Sequence, residues 1–95
     1  MKTFTVIVYS DAGHAWGKVK REVLRNLGIA HQVSPYSYQR NDYAYLEEDC
    51  DLFLLQQAMD KNNVRLKFVE RRTDGRSKIR SYERYEHVQD TNQTA

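Results

Sequence analysis

From Thr3 to Tyr9 the chain reads TFTVIVY, an unbroken β-branched and aromatic run that predicts a strand. Alternation puts Phe4, Val6 and Val8 on one face and Thr5, Ile7 and Tyr9 on the other. Ser10 to Gly13 supply turn residues. Beyond them Trp16, Val19, Val23, Leu24 and Leu27 recur at spacings of three and four, which predicts an amphipathic helix over 16–27, with Gly28 at its C-terminal stop. Lys18, Lys20, Arg21 and Arg25 fall off its apolar stripe.

The stretch Ser34–Asp51, SPYSYQRNDYAYLEEDCD, predicts a hairpin running into a helix. A two-residue turn at Asn41-Asp42, residues that tolerate positive φ, sets Arg40 opposite Tyr43, Tyr38 opposite Tyr45 and Tyr36 opposite Glu47. All six then share one face, leaving Ser37, Gln39, Ala44 and Leu46 on the other. Asp49 or Asp51 is the expected N-cap of a helix that buries Leu52, Leu55, Ala58 and Met59 and stops at Asn62-Asn63. Val64 to Arg71 alternates again, with Val64, Leu66 and Phe68 inward. Asp74-Gly75 is the strongest turn signal, after which Ile79–Tyr85 either pairs back as a short strand or crosses the sheet as an extended arm.

Strand, helix, strand, strand, helix, strand is the order of a ferredoxin-like βαββαβ unit. The expectation is therefore an α+β domain over residues 1–88, with a four-stranded antiparallel sheet, two helices on one face and a C-terminal hairpin extension. An α+β meander extended by the Asp-Gly hairpin is the competitor. Residues 89–95 are expected to fray, being poor in apolar side chains.

Composition narrows the class. Apolar residues make up 40% and charged residues 29%, which is globular, and a formal charge of +2 is too mild to argue for nucleic acid by itself. A single cysteine forms no internal disulfide, and the short apolar run MKTFTVIVY lacks a cleavage site or the length of a membrane span. The expectation is a cytoplasmic protein without membrane contact.

Candidate chemistry lies on two surfaces. The tyrosine face, Tyr36, Tyr38, Arg40, Tyr43 and Tyr45, would combine with Tyr9, Lys67 and Arg71 on an open sheet. Aromatics flanked by cations are how single strands are stacked and their phosphates neutralised, although the glycine-and-aromatic consensus of the RNA-recognition motif is missing. The second surface runs from Arg71 to Arg84, where Arg71, Arg72, Arg76, Lys78, Arg80 and Arg84 face only Asp74 and Glu83. The opposite charge gathers at Glu47, Glu48, Asp49 and Asp51. That run lacks the spacing of a calcium loop and is explained by helix capping, so no metal or other cofactor is expected. His14, in the loop DAGHAWG, has no visible acid or nucleophile partner, and an enzyme is not expected; Gly13 and Gly17 would instead let backbone amides approach an anion.

At HAWGKV, VSPYSYQRNDYAYLEEDCD and RTDGRSKIRSY the chain resembles a group of small uncharacterised proteins of bacteriophages and bacterial mobile elements. Ala15, between His14 and Trp16, departs from that group's His-Gly-Trp pattern. The resemblance implies a compact accessory protein that binds a host macromolecule, such as host machinery or a defence system. Taken together the expectations are a host protein partner through the Tyr and Arg surface, single-stranded RNA or DNA as the alternative, and a homodimer through an edge strand.

Overall fold

The computed structural model of the chain describes residues 2–87; the expectation of a frayed 89–95 falls outside them. Among these residues six strands make one sheet: β1 (Lys2–Ser10), β2 (Ala15–Lys20), β3 (Tyr38–Arg40), β4 (Tyr43–Glu47), β5 (Val64–Arg72) and β6 (Glu83–Arg84). Two α-helices accompany them, α1 (Arg21–Asn26) and α2 (Asp51–Lys61). The order across the sheet is β5-β1-β2-β4-β3-β6. β5 runs parallel to β1, and the other neighbours pair antiparallel.

The α+β class holds, but the four-stranded ferredoxin-like sheet does not. Its first helix is the error: Ala15–Lys20 is a strand, and only Arg21–Asn26 is helical. In AWGKVK the side chains alternate, so Ala15, Gly17 and Val19 face the helices while Trp16, Lys18 and Lys20 face away. The apolar spacing from Trp16 to Leu27 fits a strand followed by one helical turn as well as a single helix. Long-range pairing decides between them, because β2 bonds to β1 on one side and β4 on the other. Gly28 does stop α1, at φ 74, with its amide donating to Arg25 O and that of Ile29 to Leu24 O, the paired bonds of a Schellman end.

The predicted β3–β4 hairpin keeps its register: Arg40 opposes Tyr43, Tyr38 opposes Tyr45, and Asn41 takes φ 55. It is shorter than expected, so Tyr36 lies in the preceding turn and does not face Glu47. The N-cap position of α2 is Cys50 rather than either aspartate. Glu47 Oε1 accepts from the amides of Asp49 and Cys50, and Asp51 turns back to accept from the Ser34 amide and hydroxyl and from the Ser37 hydroxyl. Ser37 Oγ, fully buried, also accepts from the Glu47 amide at 2.9 Å, so one hydroxyl joins hairpin to helix. Ser37→Ala is expected to cost about 1–3 kcal/mol by leaving those groups unpartnered, seen as a lower urea midpoint at unchanged slope.

Both helices cover the inner face of the sheet, where Val6, Val19, Leu24, Leu46, Leu52, Leu55 and Met59 make the main core. Phe68 points to this side but stays 47% exposed, because β5 is an edge strand with β1 as its one neighbour. Among the described residues the C-terminal hairpin extension does not form, since β6 pairs with β3 and not back with β5. The Thr73 amide donates to Ser10 O at 2.8 Å, and the chain then crosses the outer face through a 3-10 turn, Lys78–Ser81, before β6 pairs with β3 at the far edge. Each of the two readings of Ile79–Tyr85 holds in part: the segment crosses the sheet, through a 3-10 turn and not as an extended arm, and Glu83–Arg84 then pairs as a short strand with β3. It ends where the Tyr85 hydroxyl donates to Ala30 O at 2.6 Å.

Candidate functional site

The crossing segment acts as a strap, and Asp11 fastens it. Its Oδ2 accepts from the Ser77 amide at 3.1 Å and from Arg80 Nε at 2.7 Å. Its Oδ1 accepts from Arg80 Nη2 at 2.9 Å and from the amides of Gly13 and His14 at 2.9 and 3.0 Å. The Arg80 guanidinium and these amides hold the Asp11 carboxyl far below the usual carboxylate range, against the opposing effect of burial. Of the two glycines expected to let amides approach an anion, Gly13 does so with His14 beside it, but the anion is the protein's own Asp11, and Gly17 lies within β2.

Beneath the strap Ile79 packs with Trp16, Tyr38 and Tyr45, and Tyr9, Tyr43 and Tyr82 border them. Trp16 and Tyr38 meet edge to face at 6.0 Å between centroids, and Tyr45 and Tyr82 lie 5.1 Å apart. Burial and the neighbouring Tyr82 raise the Tyr45 phenol above its ordinary value, so it stays neutral and able to donate. Four cations lie over rings: Arg80 on Trp16 (5.1 Å), Arg84 on Tyr38 (5.0 Å), Arg40 on Tyr82 (5.1 Å) and Lys18 on Tyr43 (4.2 Å).

This changes the expected aromatic surface. Tyr38 and Tyr45 are only 8% and 7% exposed, so they form a second core rather than an open stacking platform. Tyr43 is half-buried, and Tyr36, at 65%, is the one freely exposed ring of the predicted face. Arg40 is exposed, Arg80 is tied to Asp11, and Arg76 and Lys78 lie along one border of the strap. Arg71, in register with Tyr9, is on the outer face, whereas Arg72, in register with Ser10, belongs to the inner one.

Of the depressions along the strap, two bear on the candidate chemistry. The first, about 410 Å³, is lined by Tyr9, Lys18, Tyr45, Arg76, Lys78 and Tyr82 among others, with three cations and no carboxylate. Through Tyr9 and Lys18 it adjoins the uncovered part of the outer face, where register sets Lys18 and Lys20 of β2 on one flank of Thr3, Thr5, Ile7 and Tyr9 of β1, and Arg65, Lys67 and Arg71 of β5 on the other. The second, about 390 Å³, lies on the other side of Arg80 and mixes His14, Trp16, Tyr36 and Tyr38 with Arg84, Glu47, Asp49 and Cys50. Partial burial, then Glu47 and Asp51, raise the Cys50 thiol, which keeps it protonated and a poor nucleophile near neutral pH. Among the described residues no three His, Cys, Asp or Glu side chains converge as a metal site, and no helix is long and apolar enough to cross a membrane.

Sequence reasoning passed over Asp11, read as a turn residue, and Lys18, Lys20 and Arg65. The signal for the lysines was present in the alternation of Trp16, Lys18 and Lys20 with Gly17 and Val19, which outranks the helical spacing once Gly17 is counted as a poor helix former. Compared with known proteins, the chain matches no family model, no curated protein and no solved structure.

Proposed function

We propose that the protein binds single-stranded nucleic acid along the uncovered part of the outer sheet face, from Lys20 and Lys67 up to the groove bordered by Arg76 and Lys78. The observation that carries this reading is the uniform sign of the surface. Lys18, Lys20, Arg65, Lys67 and Arg71 share one face by register, and the groove they lead into has no carboxylate in its lining. In a chain of nearly balanced charge this stretch of the outer face carries five cations and no carboxylate, a pattern suited to a phosphate backbone.

The mode differs from stacking on an open aromatic sheet, since Tyr38 and Tyr45 lie beneath the strap. Phosphates would lie along the lysines and arginines, and Tyr9 and Tyr82, both half-buried at the groove, would offer ring edges and hydroxyls to sugar and base. Of the predicted tyrosine face, Tyr36 is the one ring left exposed as an anchor for a protein partner. Homodimerisation through β5 is opposed by its own Arg65, Lys67 and Arg71, which would face like charges across an edge-to-edge pair.

Fluorescence anisotropy of labelled oligothymidylate and oligouridylate over a salt series tests the reading. The logarithm of affinity should fall with the logarithm of salt at a slope of about −0.7 per phosphate contacted. Lys67→Ala and Lys18→Ala should each flatten that slope by about one such contact. Salt-independent affinity, or no binding at low salt, would remove nucleic acid as the ligand.

A further inference from the structure

The second depression, across the strap from the cationic groove, has a different chemistry. Its lining contains guanidinium groups, carboxylates and aromatic rings together, on a scale of about 390 Å³ that admits a single nucleobase. Resting on the reading above, we infer that this cleft takes one unstacked base of the bound strand and selects guanine.

The donors are the two strap arginines. Arg84 lies on the Tyr38 ring and Arg80 on the Trp16 ring, so each guanidinium is backed by an aromatic and presents its other face or its edge to the cleft. Arg80 spends Nε and Nη2 on Asp11, whereas Arg84 donates through Nη1 to Pro35 O and has no carboxylate within ion-pairing reach among the described residues. Arg84 is therefore the free fork. Acceptors come from the opposite wall: Asp49, exposed, and Glu47, whose Oε1 is committed to two amides. Tyr36, exposed at the cleft, and His14, 6.1 Å from Trp16 between ring centroids, supply planar flanks.

A ligand for such a cleft must accept from a guanidinium and donate to a carboxylate, and must be flat. Guanine meets all three conditions, with O6 and N7 to accept an arginine fork and the adjacent N1–H and N2–H groups to bond both oxygens of a carboxylate. Adenine and cytosine each offer one exocyclic amino group, and thymine and uracil one ring N–H, so none presents the adjacent pair of donors that a carboxylate accepts together. The covered aromatic rings thus contribute indirectly, as the backing that holds both guanidinium planes in place.

The test compares oligothymidylate with the same oligomer carrying one central guanine or one central adenine, at fixed salt, with the ribo-oligomers as parallel arms that separate DNA from RNA. Guanine should tighten binding about tenfold over the homopolymer, the scale of one good bidentate contact. In Asp49→Asn and in Arg84→Lys, which keeps the charge and loses the fork, that ratio should fall to near unity. In Lys67→Ala both oligomers should weaken together and the ratio should survive. Equal affinity for the guanine oligomer and the homopolymer, an equal gain from adenine, or a ratio unchanged in both cleft variants would overturn the inference while leaving strand binding in place. If no oligomer binds at all, strand binding on the sheet fails first and guanine selection goes with it.

Discussion

Asp11→Ala is expected to unfasten the strap and expose the chain's single tryptophan. One carboxylate receives the Ser77 amide, two nitrogens of Arg80 and two loop amides, and its partners on the strap lie more than sixty residues away in sequence. Removing it leaves a guanidinium over Trp16 with no counter-charge and a buried Ser77 amide with no acceptor. The expected readouts are a red shift of Trp16 emission and faster tryptic cleavage after Arg76, Lys78 and Arg80, with helical signal from α2 retained. Asn at this position should behave like Ala, because its amide would aim donors at a donor. Wild-type emission and cleavage in Asp11→Ala would mean that Ile79 packing alone holds the segment. Acid should act in the same direction. Folding lowers the Asp11 pKa, so its contribution is complete above the unfolded value of about 3.9 and is lost only as pH falls toward the much lower folded value. The strap should accordingly stay closed through mild acid, and Trp16 emission should shift only well below that unfolded value.

Gly17→Ala is expected to be the most destabilising single-methyl change in the sheet. A Cβ there would stand 2.5 Å from Leu52 Cδ2 and 3.0 Å from Val6 Cγ1, both in the packed inner core. The end of the Leu52 side chain would have to shift within the core, and β-branched Val6 has little rotamer freedom to yield. Overpacking of this kind costs about 1–3 kcal/mol, partly offset by the roughly 0.5–1 kcal/mol that alanine gains over glycine in a strand. For a chain of this size a loss of 1 kcal/mol lowers the melting temperature by about 4–8 °C. Leu52→Ala alone should cost about 2–5 kcal/mol through its cavity, and the double variant should lose less than the two single losses combined. Additive losses would show that Leu52 is not what Gly17 makes room for.

How far the sequence reveals this fold depends on how local the deciding interaction is. β1, the β3–β4 register, α2 and β5 are each specified by alternation or periodicity within their own residues, and they form as that pattern predicts. β2 is not, because AWGKVKREVL satisfies a helical spacing and a strand alternation at once, and its two flanking strands choose between them. The tyrosines show the same limit in the candidate site. Their common face is legible from a two-residue turn, but whether that face is open depends on an ion pair between Asp11 and Arg80, which no local pattern announces. The basic residues of 71–84 are legible as a group, yet their roles diverge: Arg80 fastens the strap, Arg84 lies on the Tyr38 ring, Arg76 and Lys78 border the groove, and Arg71 and Arg72 belong to opposite faces of the sheet.

The parallel pair of β1 and β5 has a consequence for how the protein reaches this state. Both hairpins, β1–β2 and β3–β4, close through short loops and can form as soon as their residues are available. β5 must find β1 at a separation of more than sixty residues, and the strap must then find Asp11 at similar separation. Contacts this distant in sequence reward the chain only after a large loop has closed, which places the domain among slow-folding topologies. A nascent chain lacking β5 would leave β1 as an unpaired edge rich in β-branched residues, so the interval before Val64–Arg72 joins the sheet is when aggregation is most favoured.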